Sequence, residues 1–152
     1  MTYRRLYLRE LCGREDGAPP PVDLAAERRH GDFVRILIRD GLITAAHDVS
    51  DGGLLVALTE MAIASGNGAI LESPSELPTH AFWFGEDQAR YVVTARNVEP
   101  IMERAKAAGV PLTPLGATGG AVVSISGEQP LRVADLKQRF ETWLPAYMAG
   151  SH

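Results

Sequence analysis

The stretch Leu42-Ile-Thr-Ala-Ala-His-Asp-Val-Ser-Asp-Gly-Gly53, followed by Leu54-Leu-Val-Ala-Leu-Thr-Glu-Met-Ala62, decides the fold class. Leu42 to Ala46 is short, apolar and partly β-branched, which predicts a buried strand. The polar run His47 to Gly53 then turns the chain. Beyond it Leu54, Leu55, Leu58, Met61 and Ala62 recur at the 3.6-residue spacing of one helix face. Ser65-Gly66-Asn67-Gly68 closes that helix. A strand, a glycine turn and a helix in immediate succession are the unit from which layered α/β domains are built.

Working outward, Asp23 is an N-cap for a helix from Leu24 to about Asp40 that carries Phe33, Val34, Leu37 and Ile38 on one face. Gly31 weakens its middle and invites a break, and Gly41 supplies the stop. Further upstream, Ala18-Pro-Pro-Pro-Val22 must be extended, because proline removes donors and restricts the residue before it. Residues 1–22 therefore read as an arm that wraps its own core or connects to a preceding domain.

Downstream, Ala69 to Leu71 and Phe82 to Phe84 are short strand candidates, and Arg90 to Ala95 is the clearest strand. Asn97 caps a helix with Val98, Ile101, Met102, Ala105 and Ala108 on its buried side, ended by Gly109 and Pro111. Leu112 to Leu115 and Ala121 to Ile125 predict a hairpin across Gly116-Ala-Thr-Gly-Gly120. Leu131 to Val133 is a weak strand or a lead-in to the last helix. The last helix places Leu136, Phe140, Trp143, Leu144 and Tyr147 on one face, with Pro145 terminating it. This order predicts an α+β fold, a mixed β-sheet packed with helices, over residues 23–149, followed by a short tail at 150–152.

Composition bounds the function. The chain has 152 residues, 45% hydrophobic and 22% charged, with a net charge of −4. This is ordinary globular usage, long enough for a core without staples. An acidic balance argues against a nucleic-acid partner. One cysteine, Cys12, excludes a disulfide framework and a multi-cysteine zinc site. No run approaches the ~20 apolar residues of a membrane span and no signal peptide opens the chain, so a cytoplasmic protein with no membrane partner is expected.

The candidate chemistry lies at Asp48, Ser50, Asp51, Gly52 and Gly53. A helix N-terminus presents unpaired N–H groups and partial positive charge, and glycines let a ligand approach the backbone. Two carboxylates repel a bare phosphate, so a phosphate fits only with a bridging Mg²⁺, or with the acids turned to a sugar hydroxyl or amine. The competing reading makes Ser50 or Asp51 a cap and Asp48 a brace of the turn. Glu86 and Asp87 are adjacent acids in a turn, suited to a metal, to acid–base work or simply to solvation. Thr118-Gly119-Gly120 is either an anion nest or hairpin chemistry. Arg28-Arg29-His30 is a short basic cluster that reads as a solvated helix face. His30 and His80 fall in surface-looking contexts, His47 alone lies beside a motif, and Cys12 has no base near it in sequence. No catalytic residue emerges, and the metal ligands stay unassigned.

The strings Ala45-Ala-His-Asp-Val-Ser-Asp-Gly-Gly-Leu54, Tyr7-Leu-Arg-Glu10, Gly17-Ala-Pro-Pro-Pro-Val-Asp23, Phe84-Gly-Glu-Asp-Gln-Ala-Arg-Tyr-Val-Val93, Ala108-Gly-Val-Pro111 and Leu115-Gly-Ala-Thr-Gly-Gly120 occur in order and at natural spacing. Together they resemble the last domain of the phosphoribosylformylglycinamidine synthase large subunit. That family is related to aminoimidazole ribonucleotide synthetase, selenophosphate synthetase and thiamine-monophosphate kinase. The resemblance implies a three-layer sandwich flanking a barrel-like core made by upstream domains. It implies a ligase that uses ATP, Mg²⁺ and glutamine-derived ammonia, with a glutaminase subunit and a small accessory subunit as partners. The family's catalytic histidine and main ATP and Mg²⁺ ligands belong to upstream domains, so no catalytic residue transfers and no cofactor is demonstrable for this domain alone. What transfers is the Asp48–Gly53 turn, which in this superfamily faces the cleft. The resemblance leaves two expectations: a cleft wall inactive alone, or a scaffold or regulatory nucleotide-binding module. If core domains cover one face, the isolated chain should expose an apolar patch.

Overall fold

The computed structural model describes residues 6–13, 22–73 and 78–150. Its elements are α1 (Leu6–Cys12), α2 (Leu24–Arg39), β1 (Ala45–Asp48), α3 (Gly53–Ser65), β2 (Ala69–Leu71), α4 (Thr79–Phe84), β3 (Tyr91–Thr94), α5 (Glu99–Ala108), β4 (Gly116–Thr118), β5 (Val122–Ile125), β6 (Leu131–Arg132) and α6 (Val133–Met148). The fold is mixed α/β, as the order of periodicities predicts. Within the expected arm, residues 6–12 are helical, and the proline run lies outside the described residues.

The described chain divides into two compact units, with the boundary inside α3 after Leu58. The first contains α1, α2, β1, the start of α3, α4, β3 and α5. Asp23 caps α2 as expected, its Oδ1 accepting from the Ala25 and Ala26 amides at 3.0 and 2.9 Å. Gly31 does not break the helix. At its end the Gly41 amide donates to Ile38 O and the Leu42 amide to Leu37 O, satisfying two otherwise orphaned carbonyls. This stop throws Leu42 and Ile43 inward onto the cluster of Phe33, Leu37, Ile101 and Ala105, joined by Ala95, Val110 and Leu112.

That inward turn displaces the predicted strand. Leu42 to Ala46 is not the buried strand. The strand is Ala45–Asp48, and three of its four residues are exposed. It pairs antiparallel with β3, Ala45 opposite Thr94 and Asp48 opposite Tyr91. Phe82 to Phe84 is likewise not a strand but the end of α4, whose first turn closes when the Ala81 and Phe82 amides donate to Pro78 O. Trp83 is wholly buried there, edge-on to Phe82 at 5.0 Å between ring centroids. The Asn97 side chain accepts from the Glu99 amide at 3.3 Å and so opens α5. Arg104 on α5 hydrogen-bonds Asp40 and holds its carboxyl below the usual range.

The second unit holds the end of α3, the sheet β4-β2-β5-β6, and α6. The predicted hairpin does not form: β4 and β5 are not neighbours, because β2 lies between them, antiparallel to β4 and parallel to β5. Gly116, the first glycine of that stretch, serves close approach instead. A Cβ on Gly116, whose φ is +144°, would sit 1.9 Å from Ile70 O, so only glycine lets β4 lie against β2. Past β4, the Gly119 amide donates to Gly68 O and the Gly68 amide to Gly120 O, at 2.8 and 2.9 Å. Ala69, Leu71 and Val123 are buried on one sheet face, whereas Ile70 on the other is 65% exposed. Pro145 does not end α6, which continues to Met148. The bond that proline forfeits would run to the carbonyl of exposed Glu141, where water can serve. Phe140, Trp143, Leu144 and Tyr147 form an exposed apolar stripe along that helix, with the Trp143 and Tyr147 rings stacked at 5.4 Å.

Candidate functional site

The turn from Asp48 to Gly53 joins β1 to α3. Val49 is buried and anchors it, its amide donating to Arg90 O at 2.9 Å as an extension of the β1–β3 ladder. Asp48, Ser50 and Asp51 are exposed around this anchor. His47 Nδ1 donates to Asp48 O at 2.6 Å and stands 3.8 Å from the Asp48 carboxylate, whose side chain is 69% exposed. The Gly53 amide donates to Ser50 O at 3.1 Å.

The two glycines are demanded by the backbone. Gly52 and Gly53 both have positive φ, +83° and +79°. A Cβ on Gly53 would lie 2.6 Å from the carbonyl carbon of Phe84 and 2.9 Å from Gly85 O, neither of which can move aside as a side chain would. The strand–turn–helix is thus pressed backbone to backbone on the end of α4.

This packing unites two motifs that the sequence presents separately. The segment Gly85 to Arg90 lies under the diglycine turn, and Glu86 Oε1 accepts from the Gly52 amide at 3.1 Å. Arg90 Nη1 donates to Gly85 O at 3.3 Å, stands 4.0 Å from the Asp87 carboxylate, and places its guanidinium 5.7 Å from the Phe82 ring centroid. Glu86 therefore braces the turn, whereas Asp87 is exposed. Tyr91, paired opposite Asp48, donates its hydroxyl to Glu27 Oε1 at 3.0 Å, and burial together with that carboxylate pushes its phenol pKa up. Sequence reasoning missed the link of Glu86 to Gly52. The two residues are 34 positions apart, and neither motif carries a mark of the other.

The remaining candidates do not assemble with this turn. Gly119 and Gly120 belong to the second unit and commit their backbone to Gly68. Cys12 and His80 are exposed. Of the basic cluster, Arg28 and Arg29 face solvent, Arg28 standing 3.8 Å from Asp32, but His30 turns inward. Among the described residues no three His, Cys, Asp or Glu side chains converge as a metal cage, and no helix is long and apolar enough to cross a membrane.

Residues 5–126 match the family model of the AIR synthase related protein, C-terminal domain. The chain belongs to that family. A phosphoribosylformylglycinamidine synthase subunit PurL from Methylocella silvestris is 57% identical over 148 residues, and one from a Bradyrhizobium strain is 58% identical over 149. Each alignment takes in 96% of this chain but 20% of the relative, so the chain spans about a fifth of the proteins it matches. Among solved structures, Thermotoga maritima PurL complexed with FGAR superposes with a TM-score of 0.70 at 20% identity, covering 90% of this chain and 26% of that one. The same protein complexed with ATP gives 0.65 at 20% identity, covering 90% and 24%. At that identity the likeness concerns the fold, and it agrees with the family's mixed α/β domain.

Proposed function

We propose that the chain is the C-terminal flanking domain of an ATP-dependent phosphoribosylformylglycinamidine synthase, inactive alone and contributing a cleft wall through the Asp48–Gly53 turn. The observation that carries this reading is the 57% identity with a PurL subunit across 96% of the chain. The reaction makes an amidine from formylglycinamide ribonucleotide. The amide oxygen takes the γ-phosphoryl group of ATP and ADP departs. Ammonia then attacks the activated carbon, phosphate leaves with the C–O bonding pair, and a proton is lost. Such chemistry depends on positioning and charge stabilisation more than on covalent help from the protein. The upstream domains, a glutaminase subunit and a small accessory subunit are the partners this reading implies, in the cytoplasm.

Asp48 and Asp51 suit the fringe of such a site. Mg²⁺ is commonly held by one or two carboxylates together with phosphate oxygens and water, and two exposed hard-oxygen donors at one turn fit that pattern. Bound there, the ion would shield phosphate charge that the carboxylates otherwise repel. Ser50 would add its hydroxyl to the contact, while Gly52 and Gly53, their amides committed to Glu86 and Ser50 O, would shape the turn. A scaffold role is the second reading, favoured by the Gly52 amide being already committed to Glu86.

Asp48→Asn with Asp51→Asn in the complete enzyme separates them. The cleft-wall reading expects KM for ATP or ribonucleotide to rise about tenfold, or kcat to fall similarly, with an unchanged melting temperature. Unchanged kinetics with a loss of about 0.5–2 kcal/mol of stability would identify both residues as caps and braces.

A further inference from the structure

We infer that His30 is a positioning residue that sets the diglycine turn from the far side of the loop beneath it. His30 Nδ1 donates to Ala89 O at 2.8 Å across 59 positions of sequence. Ala89 is the one non-glycine among the described residues with positive φ, +61°, a conformation that costs an L-residue energy and persists only where its surroundings impose it. The His30 Nε2 atom is buried and meets no hydrogen-bond partner among the described residues, so the ring's polar output is directed to Ala89. Two further contacts come from the same side of α2. Glu27 takes the Tyr91 hydroxyl, and Gly31 leaves room for it, since a Cβ there would lie 3.2 Å from Tyr91 Oη. Residues 27, 30 and 31 share one helix face and grip residues 89–91. Those residues lead directly to the turn. Arg90 O receives the Val49 amide, and Glu86, four positions before Arg90, receives the Gly52 amide. Helix α2 thereby fixes the loop, and the loop fixes the turn.

The coupling is a property of this chain. Its consequence for catalysis rests on the proposed role of the turn, so the two are measured separately. In the 152-residue chain, asparagine at position 30 places an amide donor near the Nδ1 position, whereas glutamine moves it one bond further out. His30→Gln should shift the Gly52 and Gly53 amide resonances and speed Gly52 exchange at least tenfold relative to Ala105 in α5. His30→Asn should leave both near wild type. Adding Ala89→Gly to His30→Gln should partly restore Gly52 protection, because glycine holds positive φ without a latch. Identical Gly52 behaviour in the Gln and Asn variants, or none different from wild type, overturns the inference. In the complete enzyme, a raised KM in His30→Gln that His30→Asn rescues supports both the latch and the cleft reading. A moved Gly52 amide with unmoved kinetics supports the latch and removes the cleft reading.

Discussion

Tyr91 shows how single side chains place the turn. Its hydroxyl reaches across from β3 to Glu27 on α2, and burial and that carboxylate disfavour the phenolate. The pKa is raised in the folded state, so the phenol's contribution is fully present below the unfolded value near 10 and is lost as pH rises through the folded pKa. Tyr91→Phe should cost about 1 kcal/mol at neutral pH and reduce the loss of stability in alkali. Absorbance titration checks this, because the wild type should show one late-ionising phenol that the variant lacks. Residue-scale features of this kind divide by sequence distance. The cap at Asp23 and the stop at Gly41 were legible, and so was the Asn97 bond at the start of α5, although the cap position there is Val98, because each acts within a few residues of itself. The grip of Glu86 on Gly52 and of His30 on Ala89 was not, since each joins residues that only tertiary packing brings together.

At the scale of elements, α2, α3, β3, α5 and α6 follow from periodicity and caps, and the errors share a cause. Phe82 to Phe84 is too short for its apolar run to distinguish strand from helix, and the Pro78 carbonyl decided it locally. Gly116 to Gly120 looked like hairpin punctuation because turn glycines and close-approach glycines are the same letter. The close-approach role of Gly116 is testable by contrast. Gly116 and Gly127 both have positive φ, but a Cβ at 127 meets nothing within 4 Å while one at 116 strikes the Ile70 carbonyl. Gly127→Ala should therefore cost roughly 1 kcal/mol of conformational strain, and Gly116→Ala about 2–3 kcal/mol more. Chemical denaturation measures both. Equal losses would mean that β4 does not rest on β2 as described.

For the molecule as a whole, both units expose large apolar side chains, Leu24 and Ile38 in the first among them. The second leaves an apolar stripe along α6 and Ile70 open on one sheet face, more than a small protein of this charge needs for itself. A domain that works within a larger enzyme would have such surface, and the relatives are about five times as long. The family was legible from strings spread through nearly the whole chain. The detailed site was not, because its acids look alike whether they bind a ligand or brace a turn. The central proposal is that this chain serves as the flanking domain of an amidine-forming synthase. The most direct test replaces the matched segment of the Methylocella silvestris PurL subunit with this chain and measures ammonia-dependent amidine formation beside a version with the segment deleted. The claim predicts that the deletion is inactive and that the exchange keeps activity within about tenfold of the parent. A folded exchange protein without activity, or full activity in the deletion, would contradict it.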